Sequence, residues 1–548
     1  MVLNGETNSI IEWNYHSSFY YKNPFKDTEL DILIVKDNAE WRVPAFWRGD
    51  GVWSVRFLAK DEGEYMVKSI CSNTDDRELH NISHILKVKK GKKKSVKSIA
   101  LSKNREFLVD EESKPFFWFS DTWWMALSKR LNLSEFKELA NYRKEQNFNN
   151  IQLVAGLFPD MDIFDSRADN EAGYVWDSNL NSVNPKYFDI ADKKIEYLSN
   201  LGFIITVVGA WGYYLKLLGL ENMKLHWRYI VARWGAYSTI WALAGEATMP
   251  YYLSSSKKDD SKLLKSGWST IVKYLREIDP YSKLITIHPV DSSYKEIDSS
   301  LIDINLIQAS HNSFGSVERA IELLESSYKS VLDTPTIVDE INYEGILRGN
   351  TDEVQRLSFW SSVLNGSKGF GYGANGIWQV NRENEPFGAS PSGASWGDMP
   401  FKDALYLKGA KDISRAVSFL DRFEWWRFKS KNNSLEPRAK PKYNINIAGI
   451  DDILRVIYIY QQLAPWDNNY KILNLRKKSS YSAYFWNPKF KAEVKLESIQ
   501  TDNRGSVNLP TPPSLDEWVL VLELIDNSES DADVSIFKRV VKMLKKVK

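Results

Sequence analysis

The stretch FIITVVGAWGYYLKLLGLENMKLHWRYIVARWGAYSTIWALAGE, residues 203–246, contains the pattern that decides the fold. An apolar run, FIITVVGAW, precedes a helical segment near residues 222–236, and a second apolar run, TIWALAGE, follows it. Continuous apolar runs are typical of strands that are buried on both faces, as in parallel sheets covered by helices. The stretch therefore predicts a strand–helix–strand unit of an α/β fold.

The same rhythm extends over residues 98–430. Its eight apolar runs are PFFWFS (115–120), NIQLVAG (150–156), FIITVVGAW (203–211), TIWALAGE (239–246), LITIHPV (284–290), DINLIQAS (303–310), PTIVDEINYE (335–344) and GFGYGANGIW (369–378). Helical segments are predicted near 134–147, 185–200, 222–236, 261–279, 316–330, 351–364 and 402–420. Eight such units predict a central (β/α)8 TIM barrel. A doubly wound sheet is the alternative, but no GxGxxG follows the first strand and no P-loop is present.

The regions on either side of the barrel have sequence patterns typical of β-strands. Residues 1–90 and 431–525 contain short β-rich runs separated by turn signals, which predicts an Ig-like β-sandwich before the barrel and a second β-sandwich after it. The basic run KVKKGKKKSVKS (87–98) is interpreted as a solvated linker, with an anion-binding patch as the alternative.

The end of the chain, residues 526–548, combines an acidic linker with a basic amphipathic helix. Ile536, Val540, Leu544 and Val547 share one face of that helix. It either lies on an anionic membrane surface, associates with a copy of itself, packs on the body or frays.

Composition excludes several classes of function. A net charge of +1 over 548 residues gives no basic excess for nucleic acid, so no nucleic-acid partner is expected. Cys71 is the only cysteine, and the six histidines do not form an HExxH or similar spacing, so we expect no metal and no cofactor. No signal peptide is recognised, which leaves the compartment open between the cytoplasm and a removed leader. Oligomeric state is equally open.

A TIM barrel places its active site at the carboxyl ends of the strands. The polar and aromatic residues predicted at those ends are Ser120, Asp121, Thr122, Trp123, Trp124, Gln152, Trp211, Glu246, His288, Gln308, His311, Asp339, Glu340, Asn342, Tyr343, Glu344, Tyr372, Asn375 and Trp378. This ring contains carboxylates, amides, histidines and indoles but no lysine. Such side chains are suited to binding a sugar and cleaving a glycosidic bond, which needs two carboxyl groups.

Glu246 and Glu340 are the best candidates for that pair. Each follows an apolar run directly, and the fourth and seventh strands lie across the barrel mouth from each other. The alternative for either residue alone is a helix cap or an ion pair. Asp339 alternates with Glu340, so it is expected to point away from the lumen.

The other candidate residues are predicted to bind substrate. Asp121, Gln152 and Gln308 would hydrogen-bond to sugar hydroxyls, and His288 and His311 would either contact the substrate or support the carboxylates. The flat side chains proposed to stack on the sugar are Trp123, Trp124, Trp211, Tyr343 and Trp378.

Several motifs resemble a known family. FFWFSDTWWMAL, NFNNIQLVAG, WALAGEATMP and PTIVDEINYEG look like the apiosidase-like (DUF4038-type) catalytic domain, a TIM-barrel glycoside hydrolase. NPFKDTELDILI, WRVPAFWRGDGVWSVRF and DEGEY resemble the DUF5060-type sandwich that often precedes it. YSAYFWNPKF and PPSLDEWVLVL are similar to the β domain often found after it.

The resemblance implies a carbohydrate substrate, and characterised members include enzymes that release apiose from pectic polysaccharide. It also implies that Glu246 is the general acid/base and Glu340 the nucleophile of a retaining hydrolysis. In larger barrel clans an Asn precedes the fourth-strand carboxylate, whereas here Gly245 does, so another residue must supply that hydrogen bond. The alternatives are a carbohydrate-binding protein without catalysis, a surface or assembly protein, and a polysaccharide lyase.

Overall fold

The computed structural model describes residues 2–91, 96–331, 333–346, 349–460 and 462–525. It divides into two compact units, Met1–Trp426 and Arg427–Lys548. The predicted acidic linker and basic helix at 526–548 lie outside the described residues. The domain boundaries given above remain predictions.

The first unit begins with two β-sheets that enclose one apolar core. Its elements are β1 (Val2–Glu6), β2 (Ile10–His16), α1 (Pro24–Asp27), β3 (Leu30–Lys36), β4 (Ala39–Pro44), β5 (Phe46–Gly49), β6 (Val52–Leu58), β7 (Gly63–Cys71) and β8 (Ser83–Lys89). The sheet orders are β1-β8-β7-β3-β4 and β2-β6-β5. Ile32 and Val67 of one sheet and Val55 and Phe57 of the other are buried in the shared core. Residues 87–89 of the basic run belong to β8, so the run begins inside the sheet and not after it.

The barrel is an eight-stranded parallel sheet. A small sheet of β9 (Ala100–Leu101), β10 (Leu108–Val109) and β11 (Pro115–Phe116) precedes it. The barrel strands, first to eighth, are β12 (Trp118–Thr122), β13 (Asn150–Val154), β14 (Ile204–Val208), β15 (Thr239–Gly245), β16 (Ile285–His288), β17 (Asn305–Gln308), β18 (Thr336–Glu340) and β19 (Gly369–Tyr372). β12 pairs with both β13 and β19, and β16 and β17 meet to close the barrel, where the Thr286 hydroxyl donates to the Ile304 carbonyl over 2.8 Å. The predicted fold class is confirmed.

Helices surround the barrel. They are α2 (Leu133–Glu145), α3 (Pro185–Asn200), α4 (Tyr214–Leu218), α5 (Leu220–Trp234), α6 (Lys257–Ile278), α7 (Ser293–Glu296), α8 (Phe314–Ser330), α9 (Asp352–Leu364), α10 (Phe401–Ala404) and α11 (Lys408–Leu420). Local signals explain some starts: the Asn184 side chain accepts from two backbone N–H groups of α3, and Pro185 occupies its first position. The single helix predicted near 402–420 is two helices, α10 and α11, and the short α4 and α7 were not predicted.

The small β9–β11 sheet closes the amino-terminal end of the barrel. Leu108 of β10 shares an apolar cluster with Trp118, Ile204, Ile240 and Ile337, which lie at the starts of barrel strands. The mouth at the opposite end, where the strands finish, therefore remains open to a ligand.

Buried ion pairs join the sandwich to the barrel. Arg56 of β6 and Arg233 of α5 both donate to Asp192 of α3, over 2.7 and 2.8 Å. Arg228 of α5 donates to Asp31 of β3 over 2.5 Å. Because these charges are largely removed from water, removing one member of a pair would leave its partner short of a counter-charge.

The second unit is a β-sandwich of its own. Its strands are β20 (Lys429–Ser430), β21 (Leu435–Glu436), β22 (Ile445–Ile450), β23 (Leu454–Ile459), β24 (Lys471–Ile472), β25 (Ser480–Trp486), β26 (Glu493–Lys495), β27 (Ile499–Gln500), β28 (Val507–Asn508) and β29 (Trp518–Leu524). One sheet has the order β20-β22-β23-β29-β25-β26, the other β21-β24-β28, and Ile447, Ile457, Phe485 and Leu520 are buried in its core. Among the described residues, no helix has the length and apolarity needed to cross a membrane.

Candidate active site

A pocket of about 150 Å³ opens at the carboxyl ends of the barrel strands. The residues that line it are Trp124, Pro159, Asp160, Trp211, Glu246, Tyr252, Gln308, Ser310, His311, Glu340, Tyr343, Ile346, Trp378 and Trp396. The structure thus brings together both predicted catalytic residues and six of the predicted substrate-binding residues: Trp124, Trp211, Gln308, His311, Tyr343 and Trp378.

Glu246 follows the last residue of β15 and has a left-handed backbone with a φ of 44°. Strained backbone of this kind is common at functional sites. Its carboxyl group accepts from Trp211 Nε1 over 3.1 Å and from Gln308 Nε2 over 3.0 Å. The carboxyl group of Glu246 therefore has two side-chain donors although a glycine precedes it.

Gly245 makes room for one of these donors. A Cβ at position 245 would lie 2.2 Å from the Trp211 ring, so only glycine permits the ring to approach the backbone so closely. The glycine before Glu246 therefore has a steric purpose, which is to seat the indole that bonds to Glu246.

The environment of Glu246 favours its protonated form. Burial raises the pKa of its carboxyl group, and the nearby negative charge of Glu340 raises it further. The hydrogen bond from Gln308 offsets these effects only in part, so the pKa of Glu246 reaches about 7. Glu246 can therefore donate a proton near neutral pH.

Glu340, the last residue of β18, has the opposite environment. Its carboxylate accepts from the Tyr343 hydroxyl, lies 3.1 Å from His311 Nε2 and lies 3.3 Å from His288 Nε2. Burial alone would raise the pKa of Glu340, but the adjacent imidazoles of His288 and His311, the second of which is hydrogen-bonded to it, hold the pKa well below its ordinary value. Two carboxyl groups of one pocket are thus driven into different protonation states, the arrangement of an acid and a nucleophile.

His288 lies beneath the pocket and does not line it. Its ring packs against Trp124 and Trp211, with centroids 5.1 and 5.8 Å away. Burial would lower the pKa of His288, but the nearby carboxylates of Glu340 and Asp339, 3.3 and 3.9 Å from its ring nitrogens, outweigh burial and raise the pKa to about 10. The geometry favours the supporting alternative for His288, since it holds the charge of Glu340.

Asp339 points into the barrel, and the expectation that it points away from the lumen is wrong. Its Oδ1 accepts from Trp118 Nε1 over 2.9 Å, from Ser120 Oγ over 3.1 Å and from Gln152 Nε2 over 3.0 Å. The pairing of β17 with β18 shifts between Ile307 and Gln308, which face Val338 and Glu340. This β-bulge adds one residue, Asp339, so that it and Glu340 both face inward.

Asp121, Trp123 and Gln152 do not line the pocket. Gln152 belongs to the network of Asp339. Asp121 has no exposed surface, and its Oδ2 accepts from Arg143 Nε over 2.6 Å and from Trp123 Nε1 over 2.7 Å. These contacts join β12 to α2 and leave neither Asp121 nor Trp123 facing the space in which a sugar would bind.

Six residues that line the pocket were not predicted from the sequence, and three of them, Asp160, Tyr252 and Trp396, are linked by hydrogen bonds. These three come from the loops after β13, β15 and β19, and the Asp160 carboxylate accepts from the Tyr252 hydroxyl over 2.5 Å and from Trp396 Nε1 over 3.1 Å. Burial raises the pKa of Asp160. The sequence signal that could have identified these residues is the aromatic-rich composition of otherwise polar loops.

Trp378 presents a free donor. Its indole is 4% exposed and lines the pocket, and Nε1 has no hydrogen-bond acceptor among the residues that the structure describes. Since a buried donor without a partner is costly, a ligand oxygen would relieve it. Across the same described part of the chain, no group of three or more side chains is arranged to hold a metal ion.

Known structures share this fold. A candidate glycoside hydrolase from Bacteroides vulgatus ATCC 8482 aligns with a TM-score of 0.67 and 15% identity, over 95% of this chain and 100% of its own. A glycoside hydrolase family 5 structure from the same organism aligns with a TM-score of 0.64 and 20% identity, over 80% of this chain and 94% of its own. A further glycoside hydrolase gives 0.61 and 19%, over 80% and 98%. At these identities the similarity concerns the fold.

Family models match two regions of the sequence, whereas no curated protein matches it. Residues 6–72 match DUF5060, a domain of unknown function. Residues 102–427, more than half of the chain, match the apiosidase-like catalytic domain. That region contains every residue of the pocket, and the chain therefore belongs to the apiosidase-like family.

Proposed function

We propose that this protein is a glycoside hydrolase that cleaves a poly- or oligosaccharide with retention of configuration. One observation carries the proposal: Glu246 and Glu340 line the same pocket, but their hydrogen bonds and charges protonate one and ionise the other. A retaining glycosidase needs that combination.

In the first step Glu340 attacks the anomeric carbon and forms a glycosyl ester. The bond to the leaving oxygen breaks, and that oxygen takes the proton of Glu246 and departs as an alcohol. Glu340 suits the attack because it is ionised, and Glu246 suits the protonation because its pKa lies near 7.

In the second step Glu246, now ionised, removes a proton from a water molecule. The water oxygen attacks the anomeric carbon and releases the Glu340 carboxylate. Overall one water is consumed, the sugar gains a hydroxyl group and both side chains return to their initial states. The indoles of Trp124, Trp211 and Trp378 provide apolar faces for the sugar ring.

The test is hydrolysis of plant, algal and bacterial polysaccharides by the wild type, Glu246→Gln and Glu340→Gln. We expect the wild type to release sugar from one of them with the anomeric configuration retained, as followed by proton NMR. Glu246→Gln should lower kcat about 10²–10⁴-fold, and Glu340→Gln should abolish turnover.

The matched control is Glu145→Gln, which changes an exposed glutamate of α2 and should leave activity unchanged. Binding of a glycan without cleavage, equally by all four proteins, would instead support the carbohydrate-binding alternative. A product of inverted configuration would exclude the role of Glu340 as nucleophile.

A further inference from the structure

The indole of Trp396 bridges loops on opposite sides of the barrel mouth. On one side Nε1 donates to Asp160, in the loop after β13, over 3.1 Å. On the other side the ring lies 5.6 Å, between centroids, from His311 in the loop after β17. β13 and β17 are the second and sixth of eight strands and therefore lie across the barrel axis from each other.

Amide side chains hold Trp396 in this place. Asn375 Nδ2 donates to the Trp396 carbonyl over 2.7 Å, and Gln379 Nε2 and Asn381 Nδ2 each donate to the Gly397 carbonyl over 3.1 Å. Gly397 has a φ of 107°, a conformation that favours glycine. Trp396 is thus held by hydrogen bonds at its backbone carbonyl as well as at its ring nitrogen. This is expected of a residue in a fixed wall and not of one in a mobile lid.

The loop after β13, which carries Asp160, is equally fixed. The Tyr213 hydroxyl, from the loop after β14, donates to the carbonyls of Phe158 and Met161 over 3.1 and 2.7 Å. Arg167 Nη1 donates to the Phe387 carbonyl over 2.9 Å and so ties this loop to the one that follows β19. The Tyr252 hydroxyl, from the loop after β15, also donates to Asp160. Loops after the second, third, fourth and eighth strands therefore form one continuous wall.

The wall stands on the side of the nucleophile, because Trp396 contacts His311 and His311 holds Glu340. The sugar that Glu340 attacks is therefore the one that the wall confines. The cavity of about 150 Å³ is also smaller than the roughly 300–1,000 Å³ typical of pockets for drug-sized ligands. A chain that continued past the attacked sugar would have to pass through Trp396 and Asp160.

We propose that Trp396 and Asp160 close the sugar site at one end, so that the enzyme removes single sugars from the non-reducing end of its substrate. Asp160 is also assigned as a specificity-determining residue. Each of its oxygens already accepts one hydrogen bond and has a second lone pair, which can accept from a hydroxyl of the terminal sugar. This inference rests on the proposed glycosidase function.

The first test follows the products of the full-length protein over time. Oligosaccharides of a hydrolysed polysaccharide are labelled with a fluorescent group at the reducing end and separated by chromatography. We expect a free monosaccharide and a labelled series that shortens by one sugar at a time. Labelled fragments of many lengths at the earliest times would overturn the inference but leave the glycosidase function intact, whereas no hydrolysis of any polysaccharide in the panel would overturn both.

The second test replaces side chains of the wall. Trp396→Ala should lower kcat/KM for release of the terminal sugar about tenfold or more and should allow internal cleavage, seen as labelled fragments of mixed length. Asp160→Asn keeps the shape of the side chain and should raise KM more than it lowers kcat.

Tyr406→Ala, which removes an exposed aromatic side chain of the barrel outside the pocket, is the matched control and should keep the wild-type products. The inference fails if Trp396→Ala, folded according to circular dichroism, also keeps the wild-type product pattern and kcat/KM.

Discussion

Glu246 and Glu340 are chemically identical side chains to which the fold gives different environments. The Glu340 carboxylate lies next to a hydroxyl donor and two imidazoles. The Glu246 carboxyl group accepts hydrogen bonds from an amide and an indole and lies near a negative charge. Because protonated and ionised carboxyl groups differ in what they bind, the neighbours decide the role. Which side chains lie next to Glu246 and Glu340 depends on the tertiary fold, and the sequence shows this least directly.

The pH dependence of activity should report the state of Glu246. With a pKa of about 7, Glu246 loses its proton as the pH rises, and an ionised carboxylate cannot protonate the leaving oxygen. We expect kcat/KM to be level on the acidic side, where Glu340 stays ionised, and to fall above about pH 7. Gln308→Leu removes a hydrogen bond that lowers the pKa of Glu246, so its alkaline limb should move to higher pH.

The measurement is a pH–rate profile of the wild type, Gln308→Leu and Glu246→Gln. Glu246→Gln serves as the reference, because its residual activity should show no alkaline limb. An alkaline limb that survives in Glu246→Gln would assign the titration to another group.

At the scale of the element, the apolar runs predicted all eight barrel strands, and a helix start such as the cap at Asn184–Pro185 likewise depends on local sequence. These features depend on residues close together in the chain. The bulge at Asp339 depends on how β18 pairs with β17, and the meeting of Asp160 with Trp396 depends on loops far apart in sequence. Tertiary contacts decide both, so the sequence alone could not predict them.

Two glycines at the carboxyl ends of barrel strands make room for a donor to each of the two carboxyl groups. A Cβ at Gly245 would lie 2.2 Å from Trp211, and a Cβ at Gly373 would lie 2.3 Å from Tyr343. Gly245→Ala should displace the indole, weaken activity and lower the free energy of unfolding by about 1–3 kcal/mol. Urea unfolding and kcat/KM measure the two effects.

Gly315→Ala is the control, because its Cβ would meet only the end of the Asn312 side chain, which can move. Wild-type activity and stability in Gly245→Ala would show that Trp211 does not need this space.

At the scale of the whole molecule, the sandwich and the barrel of the first unit are joined by a buried ion pair between Arg56 and Asp192, over 2.7 Å. Arg56 comes from the sandwich, and Asp192 and Arg233 come from the barrel. Burial would raise the pKa of Asp192, but Arg233 and Arg56 outweigh it and lower the pKa to about 2. The junction is therefore part of the folded unit and not a loose connection.

Asp192→Asn should leave two buried guanidinium groups without their shared counter-charge and cost about 3–5 kcal/mol of stability at neutral pH. The folded pKa lies below the ordinary value of 3.8, so the stabilisation is complete above that value and disappears as the pH falls towards about 2. Thermal unfolding followed by circular dichroism at several pH values measures this difference.

Asp189→Asn is the matched control, since Asp189 bonds to the same Arg233 but its side chain is 35% exposed. Its cost should be much smaller. Equal losses in the two variants would contradict the importance of burial at this junction.

Trp211 and Gly245 also constrain which amino-acid substitutions this protein can accept. A larger residue at position 245 cannot coexist with the indole where it now lies, and an indole lost from position 211 leaves Glu246 short of a donor. Substitution at either site is acceptable only together with substitution at the other. The pair is thus epistatic, and a single substitution at either position is expected to weaken a hydrogen bond to Glu246.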